Sequence, residues 1–215
     1  MWNHRIKRLT PDKKMKMKVP AENKYWKEFI AGQDDAYRAL YDCFSDRLFS
    51  FGCRFCPDEE TVRDALHDLF LDLHTYREKL NKEANARAYL YASLRRKVLA
   101  LMRLKQKYQL MDDVSVEFHL SVNQHAEAAL RLDETERERL ALLAEGLREL
   151  TDRQREALYL RFRSGLSYDE AACIMEITAT SCRIMVHRAV KTLRANLKRR
   201  LSALSLLFIL CSASR

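Results

Sequence analysis

Apolar residues recur three and four positions apart along most of this 215-residue chain, which is the spacing of amphipathic α-helices. The last of its three prolines is Pro57, and the chain beyond it holds few glycines. No stretch alternates apolar and polar residues as a half-buried strand would. The pattern therefore predicts an all-α protein with two small helical domains.

The first predicted domain, residues 25–107, contains three apolar faces on three helices. Pro57 should end the first helix because proline cannot continue helical hydrogen bonding. The apolar face of that helix comprises Tyr37, Leu40, Tyr41, Phe44, Leu48, Phe51 and Phe55. The second face comprises Val62, Ala65, Leu66, Leu69, Phe70 and Leu73. The third face includes Leu90, Leu94 and Leu101.

An acidic stripe follows the second helix, because Asp64, Asp68 and Asp72 stand four positions apart, with His67 and Leu71 beside them. Like charges at this spacing mildly destabilise an isolated helix. A basic partner would relieve the repulsion, so the stripe is a candidate docking surface. A simply solvated face explains the same pattern.

The third helix, predicted over about 85–106, is strongly basic: residues 87–107 hold seven Lys or Arg and no acidic residue. Its exposed cations should be Arg87, Arg95, Arg96, Arg103 and Lys107, with Tyr89 and Tyr91 among them. Aromatic rings beside basic groups suit stacking on unpaired bases. Ordinary core filling is the alternative for either tyrosine.

Residues 150–194 predict a helix-turn-helix. Thr151 with Gln154 and Ser167 with Glu170 match the capping box that starts a helix. Gly165 separates the first two helices, and a short turn at residues 177–178 precedes the third. The inward stripe of that helix would be Cys182, Val186, Val190 and Leu193.

The last helix of such a motif enters the major groove of DNA. Residues left on its outer side are Thr178, Thr180, Ser181, Arg183, Ile184, His187 and Arg188. A plain three-helix bundle with a solvated basic face is the alternative. The short turn and the absence of acidic residues over 183–200 argue against it.

Charge divides the chain further, since the formal net charge of +9 is distributed in blocks of one sign. Residues 1–24 form a basic arm, 108–136 an acidic linker, 137–200 the helix-turn-helix domain and 201–215 an apolar tail. Two basic helices predict two phosphate-facing surfaces.

The apolar run of the tail is too short to span a bilayer, so membrane insertion is not expected. The tail could extend the last helix over the chain's own surface, meet a regulatory partner, or lie on a membrane surface.

No secretory signal is expected, since no apolar segment follows the basic N-terminus. The cysteines should then be reduced thiols in the cytoplasm; they are Cys43, Cys53, Cys56, Cys173, Cys182 and Cys211. Cys53 and Cys56 form a lone CxxC, for which a metal or redox role is the minor alternative. With no nucleophile–base set, phosphate-binding loop or metal set, we predict no enzyme, metal site or cofactor.

The chain resembles the extracytoplasmic-function group of bacterial RNA polymerase sigma factors, and more narrowly the forms common in Bacteroidetes. The resemblance covers about residues 27–197. In the first domain it rests on AYRALYDCFSDRLFSFGCRF, DALHDLFLDLH and ARAYLYASLRRKVLALMR. In the second it rests on LRELTDRQREALYLRF and GLSYDEAACIMEITATSCRIMVHRAVKTL.

The resemblance implies a role for each surface. The acidic stripe, with Asp64, His67, Asp68, Leu71 and Asp72, would dock on the clamp helices of core RNA polymerase; His67 replaces the family's usual Gln. The basic helix would hold the unpaired minus-ten element of the promoter through Arg87, Tyr89, Tyr91, Arg95, Arg96 and Arg103. The outer residues of the last helix, 178–188, would read the minus-thirty-five element.

Three departures from the family pattern stand out. Thr151 replaces a usual Pro, Glu176 replaces a common Gly in the turn, and Ile184 with Met185 stand where Ser and Arg are frequent. The predicted function is a sigma factor that binds core polymerase and promoter DNA, with an anti-sigma factor as a further candidate partner. An autonomous helix-turn-helix regulator and a membrane-surface protein are the alternatives.

Overall fold

The computed structural model describes residues 21–109, 118 and 134–213. Its helices are α1 (Ala21–Ile30), α2 (Asp34–Gly52), α3 (Glu59–Thr75), α4 (Ala86–Gln109), α5 (Glu134–Arg148), α6 (Asp152–Leu158), α7 (Tyr168–Met175) and α8 (Ala179–Ala213). A 3₁₀ turn, Arg77–Lys79, follows α3, and a π-helical turn, Tyr159–Arg163, follows α6. No strand occurs within these ranges, and the all-α prediction is confirmed.

The chain folds into two compact units. The first comprises residues 1–117 and 166–179, and the second comprises residues 118–165 and 180–215. Helix α7 lies in the first unit, whereas the predicted helix-turn-helix domain, residues 137–200, includes it. Helix α7 belongs to the first unit because it packs along α4. The basic arm and the acidic linker fall almost entirely outside the described residues.

The core of the first unit consists of large side chains from α1 to α4, and the three predicted apolar faces all contribute to it. Fully buried members include Trp26, Phe29, Leu40, Phe44, Leu48, Phe51, Leu69, Leu73, Leu90 and Leu94. Burial of such side chains is the main stabilising term in a domain of this size.

Helix α2 ends at Gly52, earlier than Pro57 alone would require, and Phe55 is buried beyond its end. A Cβ on Gly52 would lie 2.5 Å from Val62 Cγ1 of α3 and 3.6 Å from Leu94 Cδ2 of α4. Glycine therefore lets these three helices approach closely.

The start of α3 is joined to the last part of α4 by a polar contact. Asp58 caps α3 by accepting from the amide of Glu60 at 3.2 Å. Its other carboxylate oxygen accepts from the Thr61 hydroxyl at 2.6 Å and from Lys105 Nζ at 2.8 Å. This contact fixes where α3 begins and holds it against α4.

The second unit places α5, α6, the π turn and α8 around a smaller core that includes Leu147, Leu150, Ala157, Leu158 and Leu160. A Cβ on Gly146 of α5 would lie 3.2 Å from Leu193 Cδ2 of α8, so these helices also pack closely. Buried Asn196 of α8 donates to Glu149 Oε2 at 2.5 Å. Helix α8 continues through the predicted tail as far as Ala213.

Candidate protein-binding and nucleic-acid interfaces

The acidic stripe lies on the outer face of α3. Asp64, His67, Asp68 and Asp72 are exposed, and Leu71 is 53% exposed. Their positions follow from the inward face of the same helix, whose predicted apolar residues are all buried. Asp72 forms an ion pair with Lys97 of α4 at 2.7 Å, so the uncompensated acidic charge is concentrated toward Asp64 and Asp68.

An apolar patch borders this stripe, and sequence reasoning missed it. Tyr41 of α2 is 45% exposed, although the helical pattern assigned it to the core. Its ring packs on buried Phe70 with a centroid distance of 4.8 Å. Tyr41, His67 and Leu71 line one shallow depression between α2 and α3. Exposed apolar groups beside charged ones are typical of protein-binding surfaces.

Arg87, at the start of the basic helix α4, is engaged within the first unit. Glu22 of α1 accepts from Arg87 Nε at 3.0 Å and also from its Nη2. Arg47 of α2 donates to the same carboxylate at 2.8 Å. Glu22 therefore joins three helices, and Arg87 holds α1 against α4 in this structure.

The two tyrosines of α4 have different environments. Tyr89 is half-buried, its ring lies 5.1 Å from that of Trp26, and burial raises the pKa of its hydroxyl. Tyr91 is only 2% exposed and packs on Phe51 at 4.9 Å. The burial of Tyr91 corrects the expectation that it contacts an unpaired base. Tyr91 stands two positions after Tyr89, which is about 200° around the helix, so it faces the core.

Three other predicted cations of α4, Arg95, Arg96 and Arg103, lie toward its outer side, whereas the side chain of Lys107 lies outside the described residues. The Arg95 guanidinium stands 5.6 Å over the ring of Phe55. Arg96 Nε lies 3.7 Å from the Glu176 carboxylate, and burial lowers the pKa of Arg96. Arg103 is exposed. Of the predicted nucleic-acid contacts on α4, Arg95, Arg96, Arg103 and half-buried Tyr89 remain on an accessible face.

Local chemistry sets the start of α6 and of α7 as predicted. Both capping boxes are present: Thr151 accepts from the amide of Gln154 at 3.3 Å, and Ser167 accepts from the amide of Glu170 at 3.2 Å. Gly165, with φ of +66°, turns the chain before α7. Glu176, with φ of 57°, ends α7 in the left-handed conformation that glycine adopts most readily.

The predicted reading face of α8 is exposed along its first three turns. It comprises Thr178, which immediately precedes the helix, and Thr180, Ser181, Arg183, Ile184, His187 and Arg188. Cys182, Val186 and Ala189 are buried on the opposite side. Hydroxyls, an imidazole and guanidinium groups can bond base edges or phosphates, and exposed Ile184 can contact a thymine methyl.

Two aromatic residues of the second unit were not singled out in the sequence. Phe162 in the π turn is 67% exposed, and that turn is closed by the Ser164 amide donating to Tyr159 O at 3.0 Å. Phe118 is buried, with its ring 5.8 Å from Tyr159 and its amide donating to Asp152 Oδ1 at 3.0 Å. An isolated aromatic in an acidic, weakly periodic segment gives no periodic signal.

Among the described residues, no group of histidine, cysteine or carboxylate side chains could hold a metal ion. In the same part of the chain, no helix is long and apolar enough to cross a membrane.

Comparisons with known proteins give one family and several similar structures. Residues 140–193 match the family described as Sigma-70, region 4. The structure of CnrH in complex with the cytosolic domain of CnrY is 20% identical, with a TM-score of 0.54; the match covers 85% of this chain and 98% of that chain. No curated protein matches this chain.

A second solved structure is the sigma factor RpoE in complex with the anti-sigma factor NepR from Bartonella quintana. It is 22% identical, with a TM-score of 0.52, and the match covers 75% of this chain and 96% of that chain. At these identities the two structures establish a shared fold.

Proposed function

We infer that this chain is a sigma factor of the extracytoplasmic-function type, which acts in the initiation of DNA-templated transcription. The observation that carries the inference is the match of residues 140–193 to sigma-70 region 4. These residues include the start of α8, where the reading face is exposed. The fold shared with the structure of the sigma factor RpoE supports it over 75% of the chain.

In this proposal the second unit binds the minus-thirty-five element as duplex DNA. Arg183, near the start of α8, stands where a reading helix meets base edges, and Arg188 lies further along the groove. The basic character of α8 over 183–200 adds sequence-independent attraction to phosphates.

The first unit would hold the minus-ten element after strand separation. Arg95, Arg96 and Arg103 supply cations, and Tyr89 supplies an aromatic surface on the same helix. Stacking of an unpaired base on such a surface offsets part of the cost of opening the duplex, which is a few kcal/mol per base.

Core RNA polymerase is the proposed partner of the acidic stripe on α3. Asp64 and Asp68 provide negative charge, and Leu71 with Tyr41 provides apolar area beside it. An anti-sigma factor is a further proposed partner, since RpoE is bound to one in its structure. We propose that the chain acts by binding, without catalysis and without a cofactor. We also propose that it acts in the cytoplasm.

Transcription in vitro tests the function directly. Core polymerase, with and without the full chain, is supplied with a randomised promoter library, and the transcripts are sequenced. We expect enrichment of one pair of upstream elements only when the chain is present. Unchanged transcripts, with duplex binding by the chain alone, would favour an autonomous regulator instead.

A further inference from the structure

Ile184 is the apolar member of the reading face of α8, and it lies at the centre of that face. Thr180 and Arg188 stand four positions before and after it. Ser181 and His187 stand three positions before and after it. Side chains three and four positions apart lie on the same side of a helix. The middle of the exposed face is therefore a hydrocarbon group with a polar or charged residue at each of these four positions.

The packing of α8 turns Ile184 outward. Cys182 and Val186, two positions before and after it, are buried in the second unit, whereas Ile184 is 46% exposed. Isoleucine is β-branched and has one strongly preferred χ1 rotamer in a helix, so its methyl groups have a fixed direction before any ligand arrives. A rigid apolar group on an exposed face loses little side-chain entropy when a ligand covers it.

The major groove of DNA offers one apolar group to such a side chain. The base edges present hydrogen-bond donors and acceptors there, and thymine alone adds a methyl group. A hydroxyl or a guanidinium can bond to several base edges, but the isoleucine side chain has neither donor nor acceptor. A purely polar edge covered by Ile184 would lose its bonds to water without replacement, which is costly. Thymine is therefore the base that Ile184 favours.

We propose that Ile184 is a specificity-determining residue that contacts the methyl group of a thymine in the duplex bound by α8. The thymine belongs to either strand of the proposed minus-thirty-five element. Polar neighbours of Ile184 on the same face meet the base edges and phosphates around it. This inference rests on the proposed function, because it takes α8 to be the helix that enters the major groove.

Replacement of single thymines by deoxyuridine tests the contact, because deoxyuridine pairs as thymine does and lacks only the methyl group. The probe is a labelled duplex carrying the upstream element that the promoter library enriches. Its equilibrium binding to the holoenzyme, formed from core polymerase and the full chain, is measured by fluorescence anisotropy. We expect the affinity to fall about fourfold at one thymine, the equivalent of one methyl-sized group left unburied. Equal affinity for every substituted duplex and the thymine duplex would overturn the proposal.

Variants of the chain show whether Ile184 makes the contact. Ile184→Ser should bind the thymine and deoxyuridine duplexes equally at the sensitive position, while Ile184→Val, which keeps a β-branched hydrocarbon, should retain most of the difference. Phe162→Ser is the matched control, because it also replaces an exposed apolar side chain of the second unit by serine. It should keep the wild-type difference. A difference that persists in Ile184→Ser would assign the methyl contact to another side chain and would overturn the proposal.

A second measurement separates the methyl group from the rest of the base pair. The thymine–adenine pair at the sensitive position is replaced by cytosine–guanine, with cytosine either unmodified or present as 5-methylcytosine. The methyl groups of 5-methylcytosine and thymine occupy the same place in the groove. We therefore expect methylation to raise the affinity of the wild-type protein about fourfold and to leave that of Ile184→Ser unchanged. No gain for the wild-type protein would overturn the proposal.

The two proposals fail in distinguishable ways. If the wild-type chain supports no promoter-specific transcription with core polymerase, the sigma-factor proposal fails. The deoxyuridine comparison is then made with a duplex selected by the chain alone, and it still reports on Ile184. If the wild-type chain supports transcription and Ile184→Ser keeps the methyl discrimination, only the contact of Ile184 is overturned.

Discussion

Arg183 and Arg188 are both exposed on α8 and stand five positions apart, and we expect them to contact different parts of DNA. Residues at the start of a reading helix face base edges, while those further along meet the backbone. Both side chains carry the same charge, so a comparison of the two separates position from charge.

Arg183→Ala should relax preference at particular upstream base pairs, by about 1–3 kcal/mol for each lost contact. Arg188→Ala should weaken all promoters alike and reduce the steepness of the salt dependence by about one phosphate contact. Promoter-library transcription at several salt concentrations measures both effects. The opposite pattern would mean that the two roles are exchanged.

Contacts between residues distant in the sequence explain why Arg87 and Tyr91 were wrongly expected on the outer face of α4. Arg87 meets Glu22, which stands 65 positions earlier in the chain, and Tyr91 meets Phe51 from another helix. A single helical period cannot identify such partners, because burial of a borderline position depends on which element packs beside it.

At the scale of the element, the outer face of α3 is the feature that we expect polymerase to bind. Asp68→Arg should weaken the binding of purified core polymerase, because it reverses the charge at the centre of the stripe. Asp46→Arg, an equivalent reversal on an exposed position of α2, is the matched control. Circular dichroism should show near wild-type helix content for both, and equal core recovery would exclude this role.

The cap of α3 predicts an acid-sensitive contribution to stability. The hydrogen bond from Lys105, aided by the bond from Thr61, lowers the pKa of Asp58 from its ordinary value of 3.8 to about 2. A carboxyl group whose pKa is lowered by folding stabilises the folded state. This stabilisation is fully present above the ordinary pKa and is lost as the pH falls toward 2. Urea denaturation across this range should therefore show Asp58 losing its contribution.

Asp58→Asn keeps a capping side chain but removes the titration. We expect its free energy of unfolding to converge on that of wild type as the pH falls from about 5 to 2. Lys105→Met should flatten the same part of the profile, since it removes the other partner. Curves that stay parallel throughout would show that this contact does not couple stability to pH.

Much of the element scale was predictable, since helix starts depend on local chemistry. Thr151 and Ser167 cap α6 and α7 through residues only three positions away. The end of α2 was less predictable, because it depends on how closely Gly52 approaches α3 and α4. The π turn at Tyr159–Arg163 had no local signal in the sequence.

At the scale of the whole molecule, promoter opening depends on groups that favour unpaired bases over paired ones. Tyr89→Ala combined with Arg96→Ala should leave core binding intact and slow open-complex formation. A promoter with a preformed bubble should bypass most of the defect, because the unpairing cost of a few kcal/mol is already met.

Permanganate footprinting on duplex and bubble templates measures the difference. Tyr89→Phe with native Arg96 is the matched control, since it keeps the ring beside Trp26 and the charge. Equal defects of the double variant on both templates would mean that these residues anchor the DNA backbone rather than capture bases.

The close approach at Gly52 has a consequence for how this gene can vary. Every missense change of a glycine codon introduces a Cβ, and here that atom would lie 2.5 Å from Val62 Cγ1. Valine is β-branched and Val62 is fully buried, so it cannot rotate out of the way. Every missense change at codon 52 is therefore expected to destabilise the fold. A second substitution that puts a smaller side chain at position 62 is the expected compensation.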